Sequence, residues 1–286
     1  METILVTGAS GKLGKAVVEA LLEKDFNVRA ASRKTSRIKW TDRVRPVLFD
    51  YEDPGLHRAA LDNIHAVFLI APPLDSKAPE KLMPFIDKAV KTGVRHVVFN
   101  SVMTADSDEK NPLRIIERHL IHSGLDYTIL RPNFFMENFL SGWIAPMIEA
   151  GSIRVPAGGA ATSFISVEDI ARVAAACFQE RRYGEECDLT GSRALTYGDA
   201  ARMISDACGR PIDYVPITEE EMAQLDRQKG MAESSIGYRA RLFEAVRRGH
   251  MADTTSVVRD VTGKPPVLFE EFTRKNCYAW KIHKAA

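Results

Sequence analysis

Residues 7–14 read Thr-Gly-Ala-Ser-Gly-Lys-Leu-Gly, a G-x-x-G-x-x-G run. The run follows a short apolar, β-branched segment, Thr3–Thr7, and precedes apolar residues at helical spacing (Leu13, Val17, Ala20, Leu21). Between a strand and a helix, each glycine has a physical task. Gly8 permits the tight turn, Gly11 lets the backbone approach a pyrophosphate, and Gly14 lets the helix pack closely on the strand. The helix N-terminus then offers N–H groups to an anion. The candidate dinucleotide cradle is therefore Gly8, Ala9, Ser10, Gly11, Lys12, Leu13 and Gly14. A Walker A loop is excluded, because Ala9 stands where its first glycine would be and Ala16 replaces the required Ser or Thr.

The end of the second strand selects the dinucleotide. An NAD site places a carboxylate there for the ribose 2′-OH. Here the strand ends Ala30-Ala31-Ser32-Arg33-Lys34, and residues 28–45 hold seven basic side chains against one acidic, Asp42. Arg33 can pair with a 2′-phosphate in bidentate fashion and stack on adenine, with Lys34 beside it. NADP(H) is the expected cofactor. Three further strand ends face the same crevice. Asp50 and Tyr51 follow the third strand, where they either touch adenine or, for Asp50, cap the next turn. Ala71, Pro72 and Pro73 follow the fourth, small and rigid enough for a nicotinamide ribose to lie against backbone. Ser101 ends the fifth, where sheet enzymes of this design keep polar groups.

The elements that must position these groups alternate through the first half of the chain. Strands are expected at Thr3–Thr7, Asn27–Ala31, Val44–Phe49, Ala66–Ile70, His96–Asn100 and Tyr127–Leu130. Helices are expected at Lys12–Lys24, Pro79–Lys91 (with Pro84 inside) and Pro112–His122. This alternation predicts an α/β fold, a Rossmann-type doubly wound parallel sheet with helices on both faces. The second half reads as helices at Phe134–Ala150, Val167–Gln179, Thr196–Cys208, Thr218–Gln228, Ser234–Arg248 and Phe269–Trp280, with short strands at Asp188–Thr190 and Tyr214–Val215. The expected division is a dinucleotide-binding domain over 1–132 and a smaller, mostly helical substrate-binding lobe over 133–286, interleaved with the sheet's C-terminal edge.

Composition narrows the class. The 286 residues are 45% hydrophobic and 27% charged, as in ordinary globular chains. Lys+Arg is 39 and Asp+Glu 38, a balance without the basic excess of a nucleic-acid binder. The four cysteines (Cys177, Cys187, Cys208, Cys277) form no C-x-x-C pair, so neither a zinc ribbon nor a disulfide framework is expected. With strand-like sequence from Thr3 and no apolar run of bilayer length, the expectation is a cytoplasmic protein with no membrane partner.

Several segments resemble a known family. The glycine run, Arg33 and Leu130-Arg131-Pro132-Asn133-Phe134-Phe135-Met136-Glu137-Asn138 are similar to the NmrA-like group of atypical short-chain dehydrogenase/reductases. That group includes triphenylmethane reductase, quinone reductases and the festuclavine and agroclavine dehydrogenases. Residues 69–73, 85–87, 166–174, 195–199 and 261–264 carry the same likeness, which spans nearly the whole chain. The resemblance implies a Rossmann domain and NADPH. Asn133, within the motif, is a further candidate cofactor contact.

The chain departs from typical short-chain dehydrogenases in one respect. No Tyr is followed four residues later by Lys, so the pair that protonates an alkoxide is missing. On the helix that would carry it, Glu117, His119 and His122 are the candidate proton carriers, each with a packing or surface role as the alternative. A substrate that is already electron-poor, such as an iminium ion, a cationic dye or a quinone, needs only a hydride. Phe134, Met136, Phe139 and Trp143 either wall an apolar pocket for such a flat, aromatic or cationic acceptor or belong to the core. Two functions follow: an NADPH-dependent reductase acting without a tyrosine acid, or a non-catalytic NADP-binding redox sensor. The aromatic and Met stretch favours the reductase.

Overall fold

The computed structural model describes residues 2–39 and 41–280. In chain order the elements are β1 (Thr3–Val6), α1 (Lys12–Glu23), β2 (Asn27–Ser32), β3 (Val44–Leu48), α2 (Pro54–Leu61), β4 (Ala66–Ile70), α3 (Ala78–Lys91), β5 (His96–Asn100), α4 (Pro112–Ile121) and β6 (Asp126–Pro132). They continue as α5 (Asn138–Ser141), α6 (Ala145–Glu149), β7 (Ser152–Val155), β8 (Ala161–Thr162), α7 (Val167–Glu180), β9 (Glu185–Leu189), β10 (Leu195–Thr196) and α8 (Tyr197–Cys208). The last are β11 (Asp213–Pro216), α9 (Glu219–Gln228), α10 (Glu233–Arg247), α11 (Val257–Thr262) and α12 (Phe269–Asn276).

The chain forms two compact units. The first contains the residues up to Pro132 together with Val167–Leu189 and Val257–Lys264. Its seven-stranded sheet runs β3-β2-β1-β4-β5-β6-β9, parallel throughout. Strand order reverses between β1 and β4, and in such sheets ligands bind outside the carboxyl ends of the strands at that point. One face carries α1, α7 and α11, with both α1 and α11 packed on α7, and the other packs α2, α3 and α4. Under α3 and α4 lies a core of Leu5, Leu69, Phe85, Ile86, Phe99, Ile116 and Leu120, all essentially sealed from solvent. Fully buried strands explain the unbroken apolar runs in β1, β4 and β5. Pro84 lies inside α3 on its exposed side, so the carbonyl one turn earlier, left without its helical donor, can be hydrated.

The chain leaves the first unit after Pro132 but returns to it at Val167–Leu189 and Val257–Lys264, so residues 133–286 are not one continuous lobe. The register Leu130↔Cys187 and Pro132↔Leu189 adds β9 to the sheet, and α7 packs on α1, so both belong to the first unit. The expected strand Asp188–Thr190 starts three residues earlier, at Glu185, hidden by two glutamates whose partners alternate inward as Cys187 and Leu189. Helix α2 was also hidden, because Asp53-Pro54-Gly55 reads as a turn. Asp53 instead accepts the Gly55 N–H at 3.0 Å and caps the helix, with Pro54 in its first turn.

The second unit contains Asn133–Ser166, Thr190–Ser256 and the residues from Pro265 on. It holds two small sheets, parallel β7–β11 and antiparallel β8–β10, among helices. The single helix expected over Phe134–Ala150 is two short ones. Gly142 is extended between them (φ −99°, ψ −160°), and a Cβ there would stand 2.8 Å from the Asn138 Cα, so the chain breaks where only glycine fits. Thr218 and Glu221 form a capping box, which makes the Glu219–Glu221 run a helix start.

His96, at the start of β5, is 4% exposed between the rings of Phe178 and Tyr183. Its Nε2 lies 2.8 Å from Thr128 Oγ1, whose own hydrogen goes to the Arg182 carbonyl, so Nε2–H is the donor. Burial pushes its pKa down from 6.5 to about 4. A neutral buried imidazole stabilises the fold above pH 6.5, and that contribution drains away as pH falls toward 4, on the order of 3 kcal/mol in all. Urea midpoints at pH 7.5 and 4.5 should therefore diverge more in the wild type than in His96→Asn. Equal divergence would remove His96 as the cause.

Candidate functional site

The glycine turn is tied on both sides. Thr7 is buried and clamps β1 to β4: its hydroxyl donates to the Phe68 carbonyl (3.2 Å) and accepts the Ile70 N–H (2.8 Å). Gly8 has φ +60°, a region open at little cost only to glycine. The Gly11 N–H closes the turn on the Gly8 carbonyl at 2.9 Å, and the Ala9 N–H reaches Ala31 at 3.0 Å. At Gly14 a Cβ would come within 2.3 Å of the Gly8 carbonyl oxygen, so helix and turn touch backbone to backbone. Helix α1 starts at Lys12 with Gly11 as N-cap, no side-chain cap and no acidic residue in its first turn. Its positive dipole end is therefore not compensated locally. Leu13 is buried beneath the turn.

Ser32, the last residue of β2, donates to Ser10 Oγ at 2.9 Å and accepts the Lys34 N–H at 3.1 Å. One buried hydroxyl thus ties the glycine turn to the start of the basic loop. Arg33 and Lys34 are exposed beyond it and form no ion pair with the described residues. A guanidinium and an ammonium group next to an anion-ready helix end suit a polyanion.

The other strand ends divide into walls and ties. Tyr51 edges against Phe49 and Phe85, and its hydroxyl donates to the Ile70 carbonyl at 2.9 Å. Burial pushes its pKa far above the usual phenol value, so it is a fixed wall and no proton source. Asp50 Oδ1 accepts the Glu52 N–H at 3.1 Å, and its carbonyl meets His57 Nε2 at 3.1 Å, so the turn-capping role is realised. Ala71 and Pro72 are half-buried and Pro73 exposed at the end of β4.

Ser101 changes the chemistry. It is buried, and its hydroxyl donates to Glu117 Oε1 at 2.5 Å. Glu117 is itself fully buried and holds Arg131 in a two-pronged pair (Nε–Oε1 3.0 Å, Nη2–Oε2 2.8 Å), with Arg114 Nη1 at 3.0 Å. Arg131 also reaches Asp106 at 3.1 Å and Glu186. Burial resists ionisation of Glu117, but the hydrogen bonds from Arg131 and Ser101 outweigh it and hold its pKa below the ordinary value. Glu117 is therefore a charged strut, which corrects its place among the candidate proton carriers. His119 pairs with Asp87 across α3 and α4 (2.7 Å) and His122 with the Arg118 carbonyl (2.7 Å), both on the helical outer layer. Thr7 and Arg131 were not read as site-building residues. For Thr7 the signal was a β-branched hydroxyl immediately before the first glycine.

In the second unit, Asn133 is 2% exposed and fully engaged. Its amide donates to Ser163 Oγ (2.7 Å) and the Met251 carbonyl (2.9 Å), and its oxygen accepts the Phe134 N–H (2.8 Å). It is a structural bracket, which corrects its assignment as a cofactor contact. Phe139 is fully buried against Phe164 and Phe269, and Met136 is nearly so, hence both are core. Their sealing corrects two of the four expected substrate contacts. Phe134 and Trp143 are half-buried and remain candidates. Among the described residues there is no cluster of three or more His, Cys, Asp or Glu suited to a metal, and no helix long and apolar enough to cross a membrane.

A parallel sheet in the order 3-2-1-4-5-6, with a glycine turn at its switch point, defines a Rossmann-type dinucleotide-binding protein. The chain belongs to the NmrA-like family, whose profile matches residues 1–260. It is 32% identical to prestalk A differentiation protein A of Dictyostelium discoideum over 96% of this chain and 92% of that one. It is 32% identical to agroclavine dehydrogenase of Claviceps fusiformis, covering 97% and 98%. Among solved structures, triphenylmethane reductase of Citrobacter sp., complexed with NADP(H), superposes with a TM-score of 0.82 at 22% identity over 96% of this chain and 99% of that one.

Proposed function

We propose that this chain is an NADPH-dependent reductase of an electron-poor acceptor of the iminium, cationic-dye or quinone type, acting without a Tyr-x-x-x-Lys acid. The observation that carries it is Ser101: beside an intact dinucleotide cradle, its hydroxyl hydrogen is committed to Glu117. The names of its relatives, a dehydrogenase among them, and the NADP(H) complex of a structural neighbour support an NAD(P)H-dependent oxidoreductase. NADPH, when bound, supplies the hydride.

The chain's own groups bind and orient. The backbone of residues 8–14 and the start of α1 would hold the pyrophosphate, and Arg33 and Lys34 the 2′-phosphate. Tyr51 and Ala71–Pro73 offer rigid walls at the strand ends. A neutral ketone would become an alkoxide and need a donor of tuned pKa. Tyr51 is locked on a carbonyl, Ser101 on a carboxylate, and Glu117 is ionised. Hydride acceptance by an already electron-poor carbon or ring leaves no such demand.

The test is an NADPH-oxidation screen against quinones, cationic dyes, cyclic imines and ketones. Turnover of any of the first three classes is expected. Efficient turnover of ketones alone would overturn the reading, and NADPH binding with no turnover would make the chain a redox-sensing binder. Arg33→Ala should weaken NADPH about ten- to hundredfold, the loss of a charge-assisted contact of about 1.5–3 kcal/mol, and should weaken NADH much less, since NADH shares only the adenine contact. Calorimetry with both nucleotides checks this. Single replacement of His119 or His122 should cost less than about tenfold in kcat, short of the 10²–10⁴ of a lost general acid.

A further inference from the structure

At the end of the first unit's sheet remote from the glycine turn, the starts of β1, β2 and β3 border a cavity of about 180 Å³. Its walls carry three guanidinium groups, Arg29, Arg43 and Arg45, together with Thr3, Asn27 and Asp42. Strand β2 runs from this cavity to Ser32 and the basic loop, roughly 17 Å away, so the two places are separate.

Helix C-termini hold two of the arginines. Arg29 Nη1 donates to the Ala59 and Asp62 carbonyls at the end of α2, at 3.1 and 2.9 Å. Arg43 Nη1 donates to the Leu22 carbonyl near the end of α1 and to Asp25 Oδ1, both at 3.1 Å. The remaining nitrogens of both groups have no partner among the described residues. Arg45 is exposed and makes no hydrogen bond or ion pair with the described residues, and neither does the Asp42 carboxylate. The register of β2 with β3 sets Arg29 directly opposite Arg45. Cross-strand partners share a face, and like charges so placed repel and destabilise the pair.

We propose that this cavity binds a small phosphoryl group, as inorganic phosphate or the phosphate of a small metabolite. A dianion between Arg29 and Arg45 turns a repulsive pair into two charge-assisted contacts. A carboxylate brings one charge and suits one guanidinium fork, whereas two facing forks match the charge and the several oxygens of a phosphate. The helix carbonyls hold Arg29 and Arg43 in place beforehand, so little side-chain freedom is lost on binding. Thr3 and Asn27 add neutral donors. Even with Asp25 and Asp42 set against the three arginines, the wall keeps a positive excess. The cavity falls below the roughly 300–1,000 Å³ of sites for drug-sized ligands, so it is too small for a second dinucleotide.

The experiment is isothermal titration of the full chain with inorganic phosphate, glycerol 3-phosphate and acetate at equal ionic strength. At least one of the two phosphates should bind about tenfold more tightly than acetate. Tighter binding of glycerol 3-phosphate assigns the site to a phosphorylated metabolite, and equal or tighter binding of inorganic phosphate assigns it to the free ion. Arg45→Ala should weaken phosphate about tenfold, the loss of one charge-assisted contact. In phosphate-free buffer the same variant should melt no lower than the wild type, because it removes a like-charged neighbour. Arg33→Ala, at the other end of β2, should keep phosphate affinity within about twofold, which separates this cavity from the dinucleotide cradle. The proposal is overturned if neither phosphate outbinds acetate, if Arg45→Ala binds phosphate as the wild type does or melts well below it without phosphate, or if the loss falls on Arg33→Ala instead.

Discussion

Gly11→Val should abolish NADPH binding while leaving the sheet folded. Gly11 is the N-cap of α1 with φ −81° and ψ 174°, an extended conformation that valine adopts without strain. A Cβ there would lie 3.2 Å from the Gly8 carbonyl oxygen, a contact relieved by a few tenths of an ångström. The added isopropyl group therefore costs the fold little, yet it fills the space in front of the helix N-terminus that a pyrophosphate needs. Gly14→Ala is the contrasting control. Its Cβ would sit 2.3 Å from the Gly8 carbonyl oxygen and 2.8 Å from the Ala9 Cα, so turn and helix must separate and stability must fall. Calorimetry with NADPH together with thermal melting separates the two. Normal NADPH affinity in Gly11→Val would mean that the dinucleotide lies elsewhere.

Glu117→Ala should destabilise the protein by about 3–5 kcal/mol, the penalty for stranding a buried charge by removing its partner. Arg131 is 4% exposed, and in the variant it keeps only Asp106 and the half-exposed Glu186. Ser101 loses the acceptor of its hydroxyl as well. For a chain this long, each kcal/mol is about 2–4 °C of melting temperature, so a drop on the order of 10 °C is expected. Arg131→Met/Glu117→Leu, which removes both partners and fills the space, should recover part of that loss. If Glu117→Ala melts with the wild type and instead loses turnover by a factor of a hundred or more, Glu117 is a proton carrier after all.

How much of this was legible in the residues depended on whether the signal was local. The glycine turn, β1 to β6 and the basic end of β2 follow from short-range rules: a β-branched run, a glycine where φ is positive, a helix at 3.6 spacing. The Thr218–Glu221 box was equally local. What escaped was set by distant partners. Nothing near Glu117 announces that Arg131, fourteen residues on, will neutralise it, so a carboxylate on the right helix read as a candidate acid. Asn133, within the family motif, and Phe139, directly after it, serve the fold, and only the carbonyl of Met251 and the rings of Phe164 and Phe269 reveal it. The edge strand β9 was masked by its glutamates, because one of them, Glu186, serves as a counter-charge to Arg131.

The first unit is assembled from three separated stretches of chain, and this has a consequence on the ribosome. Until residue 189 has emerged, β6 has no neighbour on one side, and its Ile129–Leu130 backbone is an open sheet edge of the kind that recruits other strands. Helix α1 likewise waits for α7 to cover its apolar side. The nascent sheet therefore stays incomplete through the 57 residues from Pro132 to Leu189, which at roughly 5–20 residues per second is about 3–11 seconds of exposure. A release or ribosomal pause soon after Pro132 leaves a polypeptide with an adhesive border, so a truncation that follows the dinucleotide-binding motifs alone should aggregate more readily than the uninterrupted chain.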